Sequence, residues 1–407
     1  MSLRSCPPGN DELVGHASSS GRMIAPLSRC VFCAVMIWPA LAGGQSVPAA
    51  QSSSENAAIR TCLTKMPPKV QVAVALVRGN KVRFLGAERT ASGVRQVDNR
   101  STVFQIGSMT KVFTATLLAQ EVVAGRLRLD DKVANRLPFK LRVSGRGGVE
   151  MTLGQLASHT SGIAHHQPPG LTLHAWLHRH PDEPWQDYDR SRFEAYLKDD
   201  LELAATPGTQ YRYSNIGMSL VGLVVSIETG KPYEALLQER IFRPLGMRAS
   251  TTDLALVADR VVPGLKTNGK PFPNQFMAAL TPAGGIYTSA EDLARFVQVE
   301  IERSDPAVLL SQTPVFTISE GEYVALGWHL YDWVQGWRTL NHNGAIGGYT
   351  ASFYIDVANR CASIVLSNVM NKGDYGEAIR VLARTFLRQL EQPAPTPAPA
   401  EEGGPSA

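Results

Sequence analysis

The chain has 407 residues, 44% of them hydrophobic and 19% charged, with a formal net charge of +4. That is enough apolar content for one large core or two close lobes. No basic run is interleaved with aromatic residues, which argues against a nucleic-acid partner.

The first 42 residues read as an export signal. From Met23 the sequence runs MIAPLSRCVFCAVMIWPALAGG, with Arg29 as a positive n-region and Cys30–Leu41 as an apolar h-region. Ala40-Leu41-Ala42 is an A-x-A cleavage site, so the mature chain is expected to begin near Gly43, in the periplasm or outside the cell. The residues before Met23 are polar and unlike an n-region, which makes Met23 a candidate true start. The apolar run is short for a stable membrane span; an uncleaved anchor is the alternative. Cys30-x-x-Cys33 lies inside this segment and is discounted as a redox or metal motif. Cys62 and Cys361 remain. In an exported protein they could form one disulfide or stay as buried thiols, and the choice turns on whether their Cα atoms come within bridging distance.

Residues 43–56 are rich in Ser, Ala and Gln and read as a flexible leader. The core region, 57–391, is expected to open with a short helix over Ala57–Lys65. Val70–Arg78 (VQVAVALVR) alternates apolar and polar residues, Gly79-Asn80 makes a turn, and Lys81–Ala87 continues as a second strand. Lys111–Ala124 (KVFTATLLAQEVVA) has long apolar runs at helical spacing and stops at Gly125, which suits a buried helix. Further helices are expected over Leu153–Ala157, Arg192–Leu201, Asn215–Glu228 and Tyr233–Ile241. Ser289-Ala290-Glu291-Asp292 resembles a capping box, with Asp in place of Glu, before a helix over Leu293–Glu302. Strands return at Ala325–Trp333, Tyr349–Asp356 and Ser363–Asn368, and a last helix runs over Tyr375–Leu390. The Pro/Ala-rich stretch 392–407 cannot build a core and reads as a disordered tail. Strands at both ends with helices between them imply an α/β (α+β) chain. One sheet is assembled from both termini, a helical insertion forms a second lobe, and the active site is expected in the cleft between them.

Three short motifs follow one another at spacings of roughly one hundred residues: Ser108-Met109-Thr110-Lys111, Tyr213-Ser214-Asn215 and His342-Asn343-Gly344. A serine hydroxyl is a poor nucleophile at its own pKa; it needs a base within hydrogen-bond reach and donors for the oxyanion. Ser108 and Lys111 share one face if both are helical, and Ser108 at the helix start lies near the positive end of the dipole. Burial lowers a lysine pKa, so Lys111 can act as a base or tune one. An ordinary exposed S-x-x-K is the alternative, disfavoured by the long apolar run that follows. Tyr213 and Asn215 can project the same way from a loop. A tyrosine near a lysine can be held partly as phenolate and relay a proton, and Asn215 offers a donor and an acceptor to a substrate amide; alone, Tyr-Ser-Asn also suits a polar turn. His342 could donate to a substrate carboxylate or to Tyr213, or be a satisfied structural histidine. Because only an imidazolium adds a charge-assisted bond, a carboxylate-binding His342 would strengthen such binding below about pH 6.5. Gly344 and the glycines that follow would let a substrate approach a strand backbone. His159, His165 and His166 form no HExxH and have no cysteine cluster beside them, so no metal is expected, and no organic cofactor is implied. The absence of G-x-S-x-G argues against the nucleophile elbow of an α/β-hydrolase.

Together and in this order the motifs resemble those of the penicillin-recognising serine hydrolases, which carry S-x-x-K followed by S-D-N and K-T-G. Tyr-x-Asn in the middle position points to the class C branch of β-lactamases and penicillin-binding proteins. The stretches FQIGSMTK, GRLRLDDKV, LASHTSG, ATPGTQYRYSN, PLGM and TPAGGIYTSAEDL support the resemblance, which covers roughly residues 58–390. It implies a β-lactamase/transpeptidase-like fold, with an antiparallel sheet flanked by helices and a mostly helical lobe. It implies Ser108 as the acylated nucleophile, Lys111 and Tyr213 as its proton-transfer partners, and Asn215 and Gln167 as substrate ligands. His342 and Gly344 stand in the third motif, and the N–H groups of Ser108 and Ala345 would form the oxyanion hole. The substrates implied are β-lactams, D-Ala-D-Ala-type peptides or short esters, and retention of Ser108, Lys111 and Tyr213 argues against a non-catalytic binding protein. One departure stands out: His342 replaces the lysine of K-T-G, and a histidine is mostly neutral at pH 7. His-x-Gly looks like the pattern of some DD-peptidases and D-amino-acid peptidases, a difference that bears on β-lactam hydrolysis rather than on acylation.

Overall fold

The apolar repeat VQVAVALVR forms the middle of the molecule, as strand β1 (Gln71–Arg78) of a computed structural model described over residues 52–334 and 337–391. The export signal, most of the leader and the Pro/Ala-rich tail lie outside the described residues. Successive side chains of a strand point to opposite faces, and β1 is buried on both. Val72, Val74 and Leu76 pack in one cluster with helices α1 (Ser53–Leu63) and α5 (Tyr375–Glu391). Ala73, Ala75 and Val77 face the other cluster, with α2 (Thr110–Val123), α3 (Asn215–Thr229) and α4 (Ala290–Glu302). A strand covered by helices on both sides has no solvent face, so the expected polar alternation gives way to continuous burial.

Helix α1 begins at Ser53, inside the segment read as leader. Ser52 and Glu55 form a reciprocal capping box, Ser52 Oγ accepting from the Glu55 N–H and the Glu55 carboxylate accepting from the Ser52 N–H. At α4, Ser289 caps the Asp292 N–H at 3.2 Å. The Asp292 side chain does not return the bond; it accepts instead from the Ala249 N–H and the Ser250 hydroxyl.

The remaining strands of the main sheet are β2 (Lys81–Thr90), β3 (Gly93–Gln96), β4 (Phe316–Ser319), β5 (Glu322–Val324), β6 (His329–Val334), β7 (Trp337–Ile346), β8 (Tyr349–Asp356) and β9 (Cys361–Ser367). They lie in the order β4-β5-β6-β7-β8-β9-β1-β2-β3, and every neighbouring pair is antiparallel. The join that unites both ends of the chain is β1 against β9, with Val74 opposite Val365. Phe113 of α2 stacks on Phe296 of α4 at 4.1 Å and meets Phe242 edge-on, so α2 is anchored in the core.

The two cysteines are free and buried. Cys62 Sγ donates to the Ala378 carbonyl of α5 at 3.7 Å rather than facing Cys361. Burial pushes both thiols up to about 12, so they are neutral, inert packing groups of one hydrophobic cluster.

Candidate active site

Ser108 lies in a single tight turn (Gly107–Met109) that runs directly into α2, and Lys111 lies in the first turn of that helix. Ser108 is half-buried, whereas Lys111 has no exposed surface. Lys111 Nζ lies 3.2 Å from Ser108 Oγ, 2.8 Å from Asn215 Oδ1 and 2.6 Å from the Ala283 carbonyl oxygen. Burial holds its pKa well below that of an ordinary lysine. The partners suit a neutral amine: two N–H groups serve the two carbonyl acceptors, and the lone pair is left for the one partner that can donate, the Ser108 hydroxyl.

Tyr213 precedes α3, whose first residue is Asn215 and whose cap is Ser214. The Tyr213 hydroxyl is hydrogen-bonded to the Ser108 side chain, and Lys111 Nζ sits 4.8 Å from the centre of its ring. Burial pushes the Tyr213 phenol well above its usual value, outweighing the opposing pull of that bond. The resting group is therefore the neutral phenol and not a partial phenolate, and Lys111, whose charged form burial disfavours, is the candidate base beside Ser108.

Strand β7 carries His342, Gly344 and Ala345 past the Ser108 turn. A Cβ on Gly344 would lie 1.8 Å from the Ile106 carbonyl oxygen, and one on Gly107, whose φ is +51°, would lie 2.9 Å from the Ala345 backbone. Both positions must be glycine for the turn to rest on the strand, and that contact brings the Ser108 turn against Ala345. Gly344→Ala should push the turn off β7. The expected result is a folded protein whose acylation rate falls at least about 10²-fold, the loss seen when one oxyanion donor is misplaced. Stopped-flow acylation alongside a thermal melt checks this; wild-type acylation would contradict it.

His342 lies on β7, two residues before Gly344. Its ring is buried, Nδ1 donates to the Asn343 carbonyl at 2.7 Å, and Nε2 is buried without a protein partner. Burial, with His329 and Lys111 nearby, holds its pKa well below the ordinary histidine value. As a neutral imidazole protonated at Nδ1 it presents only an acceptor at Nε2, so it supplies no charge to a substrate carboxylate near neutral pH. It is one of four imidazoles around the site. His159 and His166 lie against Tyr213 at 4.5 and 5.2 Å between ring centres, and His342 at 6.4 Å. His329 lies 5.8 Å from His342 and bonds the Tyr211 hydroxyl at 3.2 Å. His159 too is held well below its ordinary value, first by burial.

His159 and His342 stay neutral in the folded protein while the unfolded chain takes up protons below about pH 6.5. Stability is full above that value and is lost as pH falls from it towards the depressed folded pKa, by about 1.4 kcal/mol per pH unit for each such histidine. Lys111 acts in the same direction from higher pH, so the informative quantity is a difference. The melting temperature of His342→Gln should fall less between pH 7.5 and 5.5 than that of the wild type; equal falls would show that His342 is not held neutral.

Gln167 is half-buried in the loop before helix Leu171–Leu177, and it makes none of the bonds that reach Asn215. Those come from His166: its carbonyl accepts from the Asn215 N–H at 2.7 Å, and its Nε2 meets Asn215 Nδ2 at 3.0 Å. The structure thus gathers Ser108, Lys111, Tyr213, Asn215, His342, Gly344 and Ala345 around one point, and adds His166 and the Ala283 carbonyl. Ala283 lies within the TPAGG stretch, but a backbone acceptor leaves no signal in residue identity. Among the described residues no group of three or more His, Cys, Asp or Glu is placed to hold a metal, and no helix is long and apolar enough to cross a membrane.

A serine at a helix start, a buried lysine against it and a glycine-bearing strand alongside fit the arrangement of an active-site serine hydrolase. A family model described as Beta-lactamase matches residues 65–386. Penicillin-binding protein 4 of Amycolatopsis lactamdurans is 30% identical over 289 residues, covering 66% of this chain and 72% of its own. The D-alanyl-D-alanine-carboxypeptidase/endopeptidase AmpH of Escherichia coli is 32% identical over 56% of each chain, so this chain spans about half of that relative. Among solved structures, a class C β-lactamase from Rhodobacter sphaeroides shares the fold with a TM-score of 0.68 and 22% identity, over 83% of this chain and 99% of that one. The chain belongs to the beta-lactamase family of serine hydrolases.

Proposed function

We propose that Ser108 forms an acyl-enzyme with β-lactams or D-Ala-D-Ala-type peptides. The observation that carries this is Ser108 Oγ at 3.2 Å from the Nζ of a fully buried lysine whose other two bonds go to carbonyl oxygens. In acylation the Ser108 proton passes to the Lys111 amine as Oγ attacks the substrate carbonyl. The oxyanion is received by the N–H groups of Ser108 and Ala345. The C–N bond then breaks, and the proton reaches the leaving nitrogen through the Tyr213 hydroxyl, which is bonded to Ser108. Water reverses these roles in deacylation, taking the acyl group off Ser108. Asn215 and Gln167 are assigned to the substrate amide. The relatives named above, a penicillin-binding protein and a D-alanyl-D-alanine carboxypeptidase, support this substrate class.

A second reading, a hydrolase of short neutral esters, is favoured by one observation: neutral His342 stands where a fixed cation would grip a carboxylate. A fluorescent penicillin, a chromogenic cephalosporin and a nitrophenyl ester separate the readings. Stable labelling marks a penicillin-binding protein, cephalosporin turnover a β-lactamase, and ester cleavage with neither an esterase. We further assign residues 1–42 to a cleaved export signal. N-terminal sequencing of exported protein should begin at or near Gly43, and membrane-bound material retaining Met36 and Trp38 would overturn that assignment.

A further inference from the structure

The Asn215 amide is held between two partners that demand opposite things of it. On one side Lys111 Nζ, 2.8 Å away, requires an oxygen; on the other His166 Nε2, 3.0 Å away, faces Nδ2 and must be an acceptor. An imidazole nitrogen accepts only when it carries no proton, so the proton of His166 must be on Nδ1. The Tyr213 backbone also lies against the His166 ring. The same ring stacks on the Tyr213 ring at 5.2 Å and 20°. One side chain thus touches both residues of the middle motif and, through Asn215, reaches the lysine that faces Ser108. The residue is exposed, so solvent reaches the ring.

We infer that His166 is a positioning residue for the reaction: its neutral Nδ1–H form locks the Asn215 amide with Oδ1 toward Lys111, and its protonation unlocks it. An imidazolium has no lone pair at Nε2. It would turn the Asn215 amide over, place Nδ2 against Lys111, and remove one of the two acceptors that leave the lysine lone pair free for Ser108. Most of the groups facing His166 favour or tolerate the neutral form. Lys111 of α2 lies behind Asn215 and lowers the His166 pKa after burial does, while the Tyr213 carbonyl pulls the other way. His159 lies on the far side of the Tyr213 ring, and the neighbouring His165 is drawn outward to Glu202 at 3.6 Å. Arg212 spends its donors on the Ile163 and Ala164 carbonyls of the same loop. Among the described residues, no carboxylate lies against the His166 ring to stabilise an imidazolium.

The inference rests on Ser108 being acylated, and its test keeps the two separable by using a neutral nitrophenyl ester on variants in which Ser108 is intact. His166→Phe keeps the stack but removes the acceptor. Its kcat/KM should fall about 10-fold at pH 7.5, the size expected for one lost hydrogen bond to the lysine network, with the change in kcat. His166→Gln can accept from Asn215 Nδ2 but cannot titrate. It should stay within about 3-fold of wild type at pH 7.5, the residue of one weakly misaligned bond, and its acid limb should be shallower by one proton. Wild-type activity in His166→Phe, or an unchanged acid limb in His166→Gln, would overturn the inference while leaving Ser108 untouched. Loss of ester cleavage in Ser108→Ala alone tests the nucleophile and not this lock.

Discussion

Ser108→Ala should reduce turnover of any accepted substrate to background, a loss of up to about 10⁶-fold when the nucleophile of a serine hydrolase is removed. No other hydroxyl can take its place. The Tyr213 hydroxyl is already bonded to Ser108 and is held as a neutral phenol by burial, and Ser214 spends its hydroxyl capping α3 on the Gly217 N–H at 3.0 Å. The substitution removes one polar atom from a half-buried side chain, so the fold should persist. Steady-state rates with an ester and a thermal melt measured together check both halves. Residual turnover within about 10²-fold of wild type, the scale of a general-base contribution alone, would point to another nucleophile.

Removing the base should be nearly as damaging. Lys111→Met keeps the volume and leaves Ser108 without an acceptor, and Tyr213→Phe keeps the ring while removing the hydroxyl. Each should slow acylation by at least about 10²-fold, the low end of general acid–base catalysis. Because both act on one proton, the double variant should be little worse than the worse single; fully additive losses would mean the two groups work independently. The Lys111 variant also strips a donor from Asn215 Oδ1 and the Ala283 carbonyl, both buried beside it. Rates are therefore best read against the melting temperature of each variant.

The Ser108–Lys111 pair was the most legible part of the site because it is local. Ser108 and Lys111 are one helical turn apart, and the apolar run that buries the lysine is contiguous with it. The strand Tyr349–Asp356 and the helix Leu153–Ala157 were likewise readable from short-range pattern. Strand β7 was not, although it carries the third motif. Its polar Asn341 and Asn343 break the apolar pattern of a buried strand, yet their side chains are paired: Asn341 Nδ2 bonds the Phe353 carbonyl, Asn343 Nδ2 bonds Asn341 Oδ1, and Ser352 Oγ bonds Asn343 Oδ1. Periodicity cannot register a strand whose buried polar residues pair with one another. The start of α1 was hidden because its Ser52–Glu55 cap lies in a serine-rich run that reads as linker. His166 escaped for a different reason: its partner Asn215 is 49 residues away in sequence, so only the folded loop brings them together. The charge of His342 also depended on burial, which residue identity does not disclose.

A covalent intermediate should form on Ser108 and nowhere else. Intact-mass spectrometry of the protein quenched during reaction with penicillin, followed by peptide mapping, tests it most directly. One adduct is expected, located on the peptide containing Ser108-Met109-Thr110-Lys111 and absent from Ser108→Ala. An adduct that persists in Ser108→Ala, or that maps to a different serine in the wild type, would contradict it.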